Sequence, residues 1–194
     1  MFPLPGVFLF PRQLMPLHIF EPRYRQMIED SLDGPGRLVI ATIREEEAGK
    51  GAETPGVLGV AGLGEIARHD QLPDGRFLIW VFGLARVRIR EVSSDLAYRL
   101  TECEVLEETS VAGDEAERLR PVLTEAILAR SDSMLNLPDD LPITLLTDLL
   151  SQRMQAPQAV MAEIHSDHDT IRRALRALEV HREFPPSNSP PSAD

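Results

Sequence analysis

Cysteine and lysine are nearly absent from this sequence, which contains one of each, Cys103 and Lys50, in 194 residues. A single cysteine excludes an intramolecular disulfide, so a reducing compartment, the cytoplasm, is the simpler expectation. The opening MFPLPG lacks the basic segment and long apolar core of a signal peptide. No apolar run approaches the roughly 20 residues that cross a bilayer as a helix. We therefore expect a cytoplasmic protein with no membrane partner.

Positive charge is also in deficit, because 20 Lys and Arg face 31 Asp and Glu and give a net charge of −11. Nonspecific nucleic-acid binding needs a basic surface that releases phosphate counterions, and binding to an anionic membrane also needs basic residues. A serine–lysine dyad needs a buried lysine as its base, whereas Lys50 lies in the acidic, glycine-rich segment 44–56, which predicts an exposed loop. The composition therefore argues against nucleic-acid binding and against this class of hydrolase.

The most informative stretch is LPGVFLFPRQLMPLHIFEPRYR, near the start of the chain. Its two short apolar runs, Val7–Phe10 and Leu17–Phe20, are bounded by prolines and predict strands. Pro11 and Pro16 lack a backbone donor, which places them at strand ends or on a sheet edge. Pro22 predicts the first turn of a helix, since its missing N–H would have no partner there. The stretch therefore predicts two strands and a helix packed on one core.

The middle of the chain predicts β-structure and the last part predicts helices. LPDG at 72–75 is typical of a hairpin turn. Apolar residues on both faces of Arg76–Gly83 predict a strand buried on both sides, and a second strand follows around Val87 and Ile89. Beyond about residue 110 the apolar period becomes helical, and the composition of 185–194 predicts disorder. We expect a β-rich part over 1–108, a helical bundle over 112–184 and a tail over 185–194.

Two blocks of the sequence resemble the N-terminal, substrate-binding domain of ATP-dependent Lon proteases. The first is LPGVFLFP followed by MPLHIFEPRYR, and the second is GLGEIARHDQLPDGRFLIWVFGLARVRI. The resemblance extends over roughly residues 2–180. It implies an α+β fold, with a PUA-like coiled β pseudo-barrel, one early helix and a C-terminal helical bundle. Full Lon proteases continue into ATPase and protease domains, and this sequence stops before either, so we expect a stand-alone form.

The expected function is non-catalytic binding of exposed apolar segments of unfolded or partner proteins, with the Lon protease itself as one partner to consider. Four apolar residues near the start form the candidate peptide-contact group: Leu14, Met15, Phe8 and Phe10. We expect Leu14 and Met15, between Pro11 and Pro16, to be at least partly exposed beside a shallow groove. Whichever of Phe8 and Phe10 faces inward is expected to be simple core packing.

Two alternative functions are weighed against peptide binding. PUA-like folds bind RNA in some families, and Arg86, Arg88 and Arg90 alternate along one strand face. In a chain of this net charge, such a row is more often a solvated face paired with local acids. The second alternative, a small-molecule enzyme, needs a convergent nucleophile, base and acid, and the sequence contains no such set. We expect no catalytic residue and no cofactor.

Two further features have ordinary structural interpretations. The cluster His165–Asp169 offers two imidazoles and two carboxylates, but a helix–helix turn in which aspartates cap the next helix and histidines face water explains it without a metal. Cys103 takes an alternating core position, so we expect an inert, small hydrophobe.

Overall fold

The computed structural model describes residues 1–50, 54–109, 111–131 and 135–186. The chain divides into two compact units, Met1–Glu107 and Glu108–Asp194. The first unit contains β1 (Phe2–Pro5), β2 (Leu14–Ile19), α1 (Pro22–Leu32), β3 (Arg37–Ile43), a short 3-10 turn (Glu45–Glu47), β4 (Val60–Gln71), β5 (Phe77–Val92) and β6 (Leu100–Val105). The second contains α2 (Asp114–Leu128), α3 (Ile143–Ser151), α4 (Gln158–Ser166) and α5 (Thr170–Glu183). Most of the tail predicted over 185–194 lies outside the described residues.

The first unit is built on one mixed sheet with the strand order β1-β3-β4-β5-β2. β1 runs parallel to β3, and the remaining neighbours are antiparallel. β5 is a single strand of 16 residues where the sequence predicted two. Its first half lies between β4 and β2, and its second half lies between β4 and β6. A mixed sheet in the first unit and five α-helices over the described parts of both units confirm the predicted α+β class.

Helix α1 begins at Pro22, as predicted, after Glu21 in extended conformation. Its buried face packs against inward residues of the sheet in one core. The buried members of that core are Phe2, Leu9, Met15, Ile19, Tyr24, Met27, Ile28, Leu38, Ile40, Phe77, Ile79 and Val81. Tyr24, Met27 and Ile28, which recur at helical spacing, form the buried face of α1.

The run Val7–Phe10 is not a strand, which corrects the sequence prediction. Leu9 and Phe10 are consecutive and both buried, whereas a strand would turn them to opposite faces. The segment instead crosses the sheet at glycines: a Cβ built on Gly62 would overlap the carbonyl oxygen of Leu9, and one on Gly83 would overlap that of Phe10. The chain passes this close to the sheet only because these two positions lack side chains.

The second unit is all helical, and polar contacts order its last helix. Asp169 caps α5, accepting bonds from the backbone N–H groups of Ile171 and Arg172 at 3.0 Å each. His168 faces solvent as expected, but His165 is buried, so the expectation that both histidines face water is wrong for His165.

Over the described residues, no helix is both long enough and apolar enough to cross a membrane.

An exposed apolar face on strands β2 and β5

The outer side of β2 and of the first half of β5 presents apolar side chains to solvent. The register places Leu14 opposite Phe82, Pro16 opposite Trp80 and His18 opposite Leu78, so each pair shares one face of the sheet. Phe20 continues the alternation just beyond β2, and its ring lies 5.9 Å from that of His18. We call the following six residues the outer apolar face: Leu14, Pro16, Phe20, Leu78, Trp80 and Phe82.

The exposure of this face corrects the prediction of a strand buried on both sides. Phe20 is 61% exposed, Leu14 55% and Phe82 38%, and Trp80 is half-buried. Only the opposite side of β5, with Phe77, Ile79 and Val81, belongs to the core. An antiparallel sheet needs to cover one face only, so a strand that is apolar on both sides leaves one apolar side in water. Scattered exposed apolar residues are ordinary, but contiguous exposed patches mark interaction surfaces.

The four predicted peptide-contact residues divide between this face and the core. Leu14 is exposed as expected. Met15 is buried, because the strand begins at Leu14 and alternation turns the next side chain inward, so the expected exposure of Met15 is wrong. Phe10 is buried and Phe8 is half-buried. Peptide contact by any of them stays a prediction.

Charged residues of β4 form one flank of the outer apolar face. Glu65 lies opposite Phe82, Arg68 opposite Trp80 and Asp70 opposite Leu78. The Arg68 guanidinium lies over the Trp80 ring, 4.8 Å from its centroid, and is also ion-paired with Asp70 at 3.1 Å. Glu65 pairs with Arg37 at 3.8 Å. Each flanking charge therefore has an opposite charge nearby, and the flank as a whole is close to neutral.

The predicted arginine row is not a continuous basic surface. Arg86 is buried, with its guanidinium 5.5 Å from the centroid of the Phe10 ring, so its expected place in an outer basic row is wrong. Arg88 is exposed and pairs with Glu104 at 2.8 Å, and Arg90 pairs with Glu102. The interpretation of Arg88 and Arg90 as a solvated face paired with local acids agrees with these contacts.

A cavity of about 350 Å³ in the first unit tests the enzyme alternative. Its wall includes Asp30, Ser31, Tyr98 and Cys103. The Tyr98 hydroxyl donates to Asp30 at 2.6 Å; burial, together with this bond, raises the pKa of Tyr98 to about 12, and the same bond lowers the pKa of Asp30. Ser31 donates to the backbone oxygen of Met27. These groups are engaged structurally and do not form a nucleophile with its base.

Cys103 is exposed on β6, so its expected core position is wrong. Among the described residues, no group of three or more His, Cys, Asp or Glu side chains is arranged to hold a metal ion. The sequence analysis did not single out the β5 part of the outer apolar face as a candidate surface. The signal was present in the alternation of Leu78, Trp80 and Phe82 with the core residues, but it was interpreted as burial on both sides.

Comparison with known proteins identifies the family to which this fold belongs. The sequence matches the family model described as the ATP-dependent protease La (LON) substrate-binding domain over residues 1–176. This chain belongs to the LON substrate-binding domain family. The Lon protease of Escherichia coli strain K12 is 26% identical over 152 residues, which make up 77% of this chain and 18% of that protease. Lon protease 2 of Syntrophobacter fumaroxidans is 29% identical over 117 residues, or 60% of this chain and 15% of that protein.

Solved structures agree with the family assignment. The N-terminal domain of Mycobacterium avium complex Lon protease superposes with a TM-score of 0.69 at 17% identity, covering 93% of this chain and 96% of that one. The Lon N-terminal domain protein from Xanthomonas campestris gives 0.65 at 17% identity, covering 91% and 95%. At this identity the likeness shows the fold alone. It confirms the predicted fold, and the family match confirms the resemblance to the LON substrate-binding domain.

Proposed function

We propose that this protein is a non-catalytic binding module that holds exposed apolar segments of unfolded or partly folded proteins on the outer apolar face. The observation that carries the proposal is the face itself, which is contiguous and aromatic-rich. Removing apolar area from water contributes about 25 cal/mol per Å², and an unfolded protein exposes the apolar side chains that a folded protein keeps in its core.

The family assignment supports a substrate-recognition role but leaves the ligand open. The matched family is named for substrate binding in an ATP-dependent protease, and this chain spans less than a fifth of the length of the Lon proteases from Escherichia coli and Syntrophobacter fumaroxidans. We infer that the clients are protein segments, with a Lon protease as a candidate partner. The inferred compartment, the cytoplasm, rests on the near absence of cysteine.

The test compares two leucines that differ in position but not in exposure. Leu14, on the outer apolar face, and Leu175, on α5, are both 55% exposed. We expect the double variant Leu14→Ser, Phe82→Ser to bind a chemically unfolded, fluorescently labelled client protein about tenfold more weakly than the wild-type protein. Each substitution removes one apolar contact, which contributes about 1 kcal/mol or less. Leu175→Ser should leave the Kd within about twofold, because a surface change away from the interface removes no contact. Fluorescence anisotropy measures both.

Equal weakening by the Leu14→Ser, Phe82→Ser pair and by Leu175→Ser would show nonspecific hydrophobic adhesion and contradict the proposal. Unchanged binding by the face variants would place the client elsewhere. Circular dichroism of each variant separates loss of binding from loss of folding.

A further inference from the structure

An irregular pair of backbone hydrogen bonds to Gly83 sets the hydrogen-bond pattern of β2 and therefore of its free edge. The Arg12 N–H donates to the Gly83 carbonyl at 2.7 Å, and the Gly83 N–H donates to the Gln13 carbonyl at 2.8 Å. Two residues of one strand thus face one residue of the other, with Arg12 at φ 61°, which is the geometry of a β-bulge whose first residue is left-handed. Gln13 and Gly83 therefore form a hydrogen-bonded pair.

This pair fixes which groups of β2 point away from the sheet. In an antiparallel ladder, hydrogen-bonded and non-hydrogen-bonded pairs alternate. Counting from Gln13, the pairs of Leu14, Pro16 and His18 with β5 are the non-hydrogen-bonded ones, so their backbone groups point to the free edge. Pro16 has no N–H to offer there. The centre of this edge consequently presents an acceptor without a donor.

A proline on an edge strand blocks the regular addition of another strand. The sheet order ends at β2, and within the described residues no other strand pairs with its outer side. A client added along this edge would find donors only at Leu14 and His18, which are about 14 Å apart along an extended strand. Its own central carbonyl would face the proline ring.

We propose, building on the function proposed above, that the clients are extended segments with apolar residues at alternate positions, held by their side chains on the outer apolar face and not by strand addition at the β2 edge. The cross-strand pairs along the face, Leu14 with Phe82, Pro16 with Trp80 and Leu78 with the neighbouring His18, repeat every second residue. That repeat is about 6.8 Å in a strand. An extended client repeats its side chains at the same interval, whereas successive turns of a helix repeat at about 5.4 Å.

The flank of the face makes apolar pattern, and not charge, the basis of selection. Arg68 is already paired with Asp70, and Glu65 with Arg37. A charged client residue beside these pairs gains little binding free energy, because each flanking charge is already ion-paired and the site is exposed to solvent. Binding should therefore change little with salt concentration.

The experiment uses the full chain and four short synthetic peptides with the same set of side chains, each carrying a fluorophore at its N-terminus. The first alternates leucine or phenylalanine with serine, and the second groups the apolar residues in one block. The third and fourth are the alternating peptide with N-methyl groups on the serine amides or on the leucine and phenylalanine amides, and each removes the donors along one backbone edge. We expect the alternating peptide to bind about tenfold more tightly than the blocked one, a difference of about 1.4 kcal/mol.

N-methylation should leave the Kd of the alternating peptide within about twofold, because side-chain binding does not use those donors. A loss of binding on N-methylation, on either set of alternate amides, would show strand addition and overturn the inference. Equal affinity for the alternating and blocked peptides would overturn it as well. In both cases the proposed function stands if Leu14→Ser with Phe82→Ser still weakens binding of the unfolded client. Failure of every peptide and of the unfolded client to bind would refute the proposed function itself.

Discussion

Gly83 shows how one residue without a side chain shapes both the core and the strand pair that carries the outer apolar face. It accepts the backbone N–H of Arg12 and lies beneath the crossing segment, where a Cβ would overlap the Phe10 carbonyl oxygen and lie 3.0 Å from the carbonyl carbon. Backbone atoms cannot rotate away as a flexible side chain can. We expect Gly83→Ala to lower the free energy of unfolding by about 3 kcal/mol, the upper end of the usual cost of overpacking.

The matched control for Gly83→Ala is Gly59→Ala. Gly59 is exposed, and a Cβ built there meets nothing within 4 Å, so the change should stay within about 0.5 kcal/mol. Urea titrations followed by fluorescence of Trp80, the single tryptophan, measure the first unit. Equal midpoints for the two variants would mean that the crossing segment moves away at little cost.

His181 gives the second unit a pH-dependent contact. The Arg130 Nε donates to the His181 Nδ1 at 2.8 Å, which requires this nitrogen to be unprotonated. Burial, helped by the charge of Arg130, lowers the pKa of His181 below its ordinary value of about 6.5. The unfolded chain therefore binds the proton more tightly than the folded one, so stability is full above about pH 6.5 and falls as the pH drops through the lowered pKa.

His181→Gln tests this contact, because the glutamine oxygen can still accept from Arg130 but does not titrate. We expect the wild-type protein to lose thermal stability relative to the variant as the pH falls from about 7 to about 5. Far-UV circular dichroism, which is dominated by helices, measures the melting temperature. Parallel curves for the two proteins over this range would contradict the assignment.

At the scale of strands and helices, the sequence predicted periodicity well and burial less well. The alternation along β5 correctly put Leu78, Trp80 and Phe82 on one face, but periodicity cannot say whether that face is covered. The prediction that Met15 is exposed was wrong for a related reason: β2 begins one residue before Met15, so alternation turns its side chain inward. The Val7–Phe10 segment was misassigned because only the close approach of Gly62 and Gly83, distant in sequence, allows it to cross the sheet.

Helix α5 offers two adjacent arginines in opposite environments. Arg173 is fully buried, ion-paired with Asp148 at 3.5 Å and Glu108 at 3.2 Å, and donates to the Asp167 carbonyl at 2.8 Å. Arg172 is exposed and pairs with Asp167. Removing one partner of a buried pair leaves an uncompensated charge, which usually costs about 3–5 kcal/mol, whereas an exposed pair contributes about 1 kcal/mol or less.

We therefore expect Arg173→Met to lower the urea midpoint of the helical signal strongly and Arg172→Met to leave it nearly unchanged. The two substitutions are chemically identical and adjacent, so helix propensity does not separate them. Far-UV circular dichroism measures both transitions. Similar midpoints would mean that Asp148 and Glu108 gain other partners when the guanidinium is removed.

For the whole molecule, net charge and the placement of the arginines both argue against the RNA alternative. With a charge of −11, the long-range field repels a polyanion. Arg86 is buried, and Arg88 and Arg90 are paired with Glu104 and Glu102. Phosphate contact by this row would first have to break both pairs, and at most two of its arginines would then contribute to counterion release.

We expect labelled single-stranded RNA to show no binding by anisotropy at physiological salt. The double variant Glu102→Gln, Glu104→Gln serves as the positive control: it frees Arg88 and Arg90, and weak binding should appear only at low salt, with a slope of log K against log salt no steeper than about −1.4 for two phosphate contacts. Tight binding by the wild-type protein, abolished by Arg88→Ala with Arg90→Ala, would instead make the β5–β6 surface a nucleic-acid site. In that case the proposal that the outer apolar face is the principal binding surface would fail.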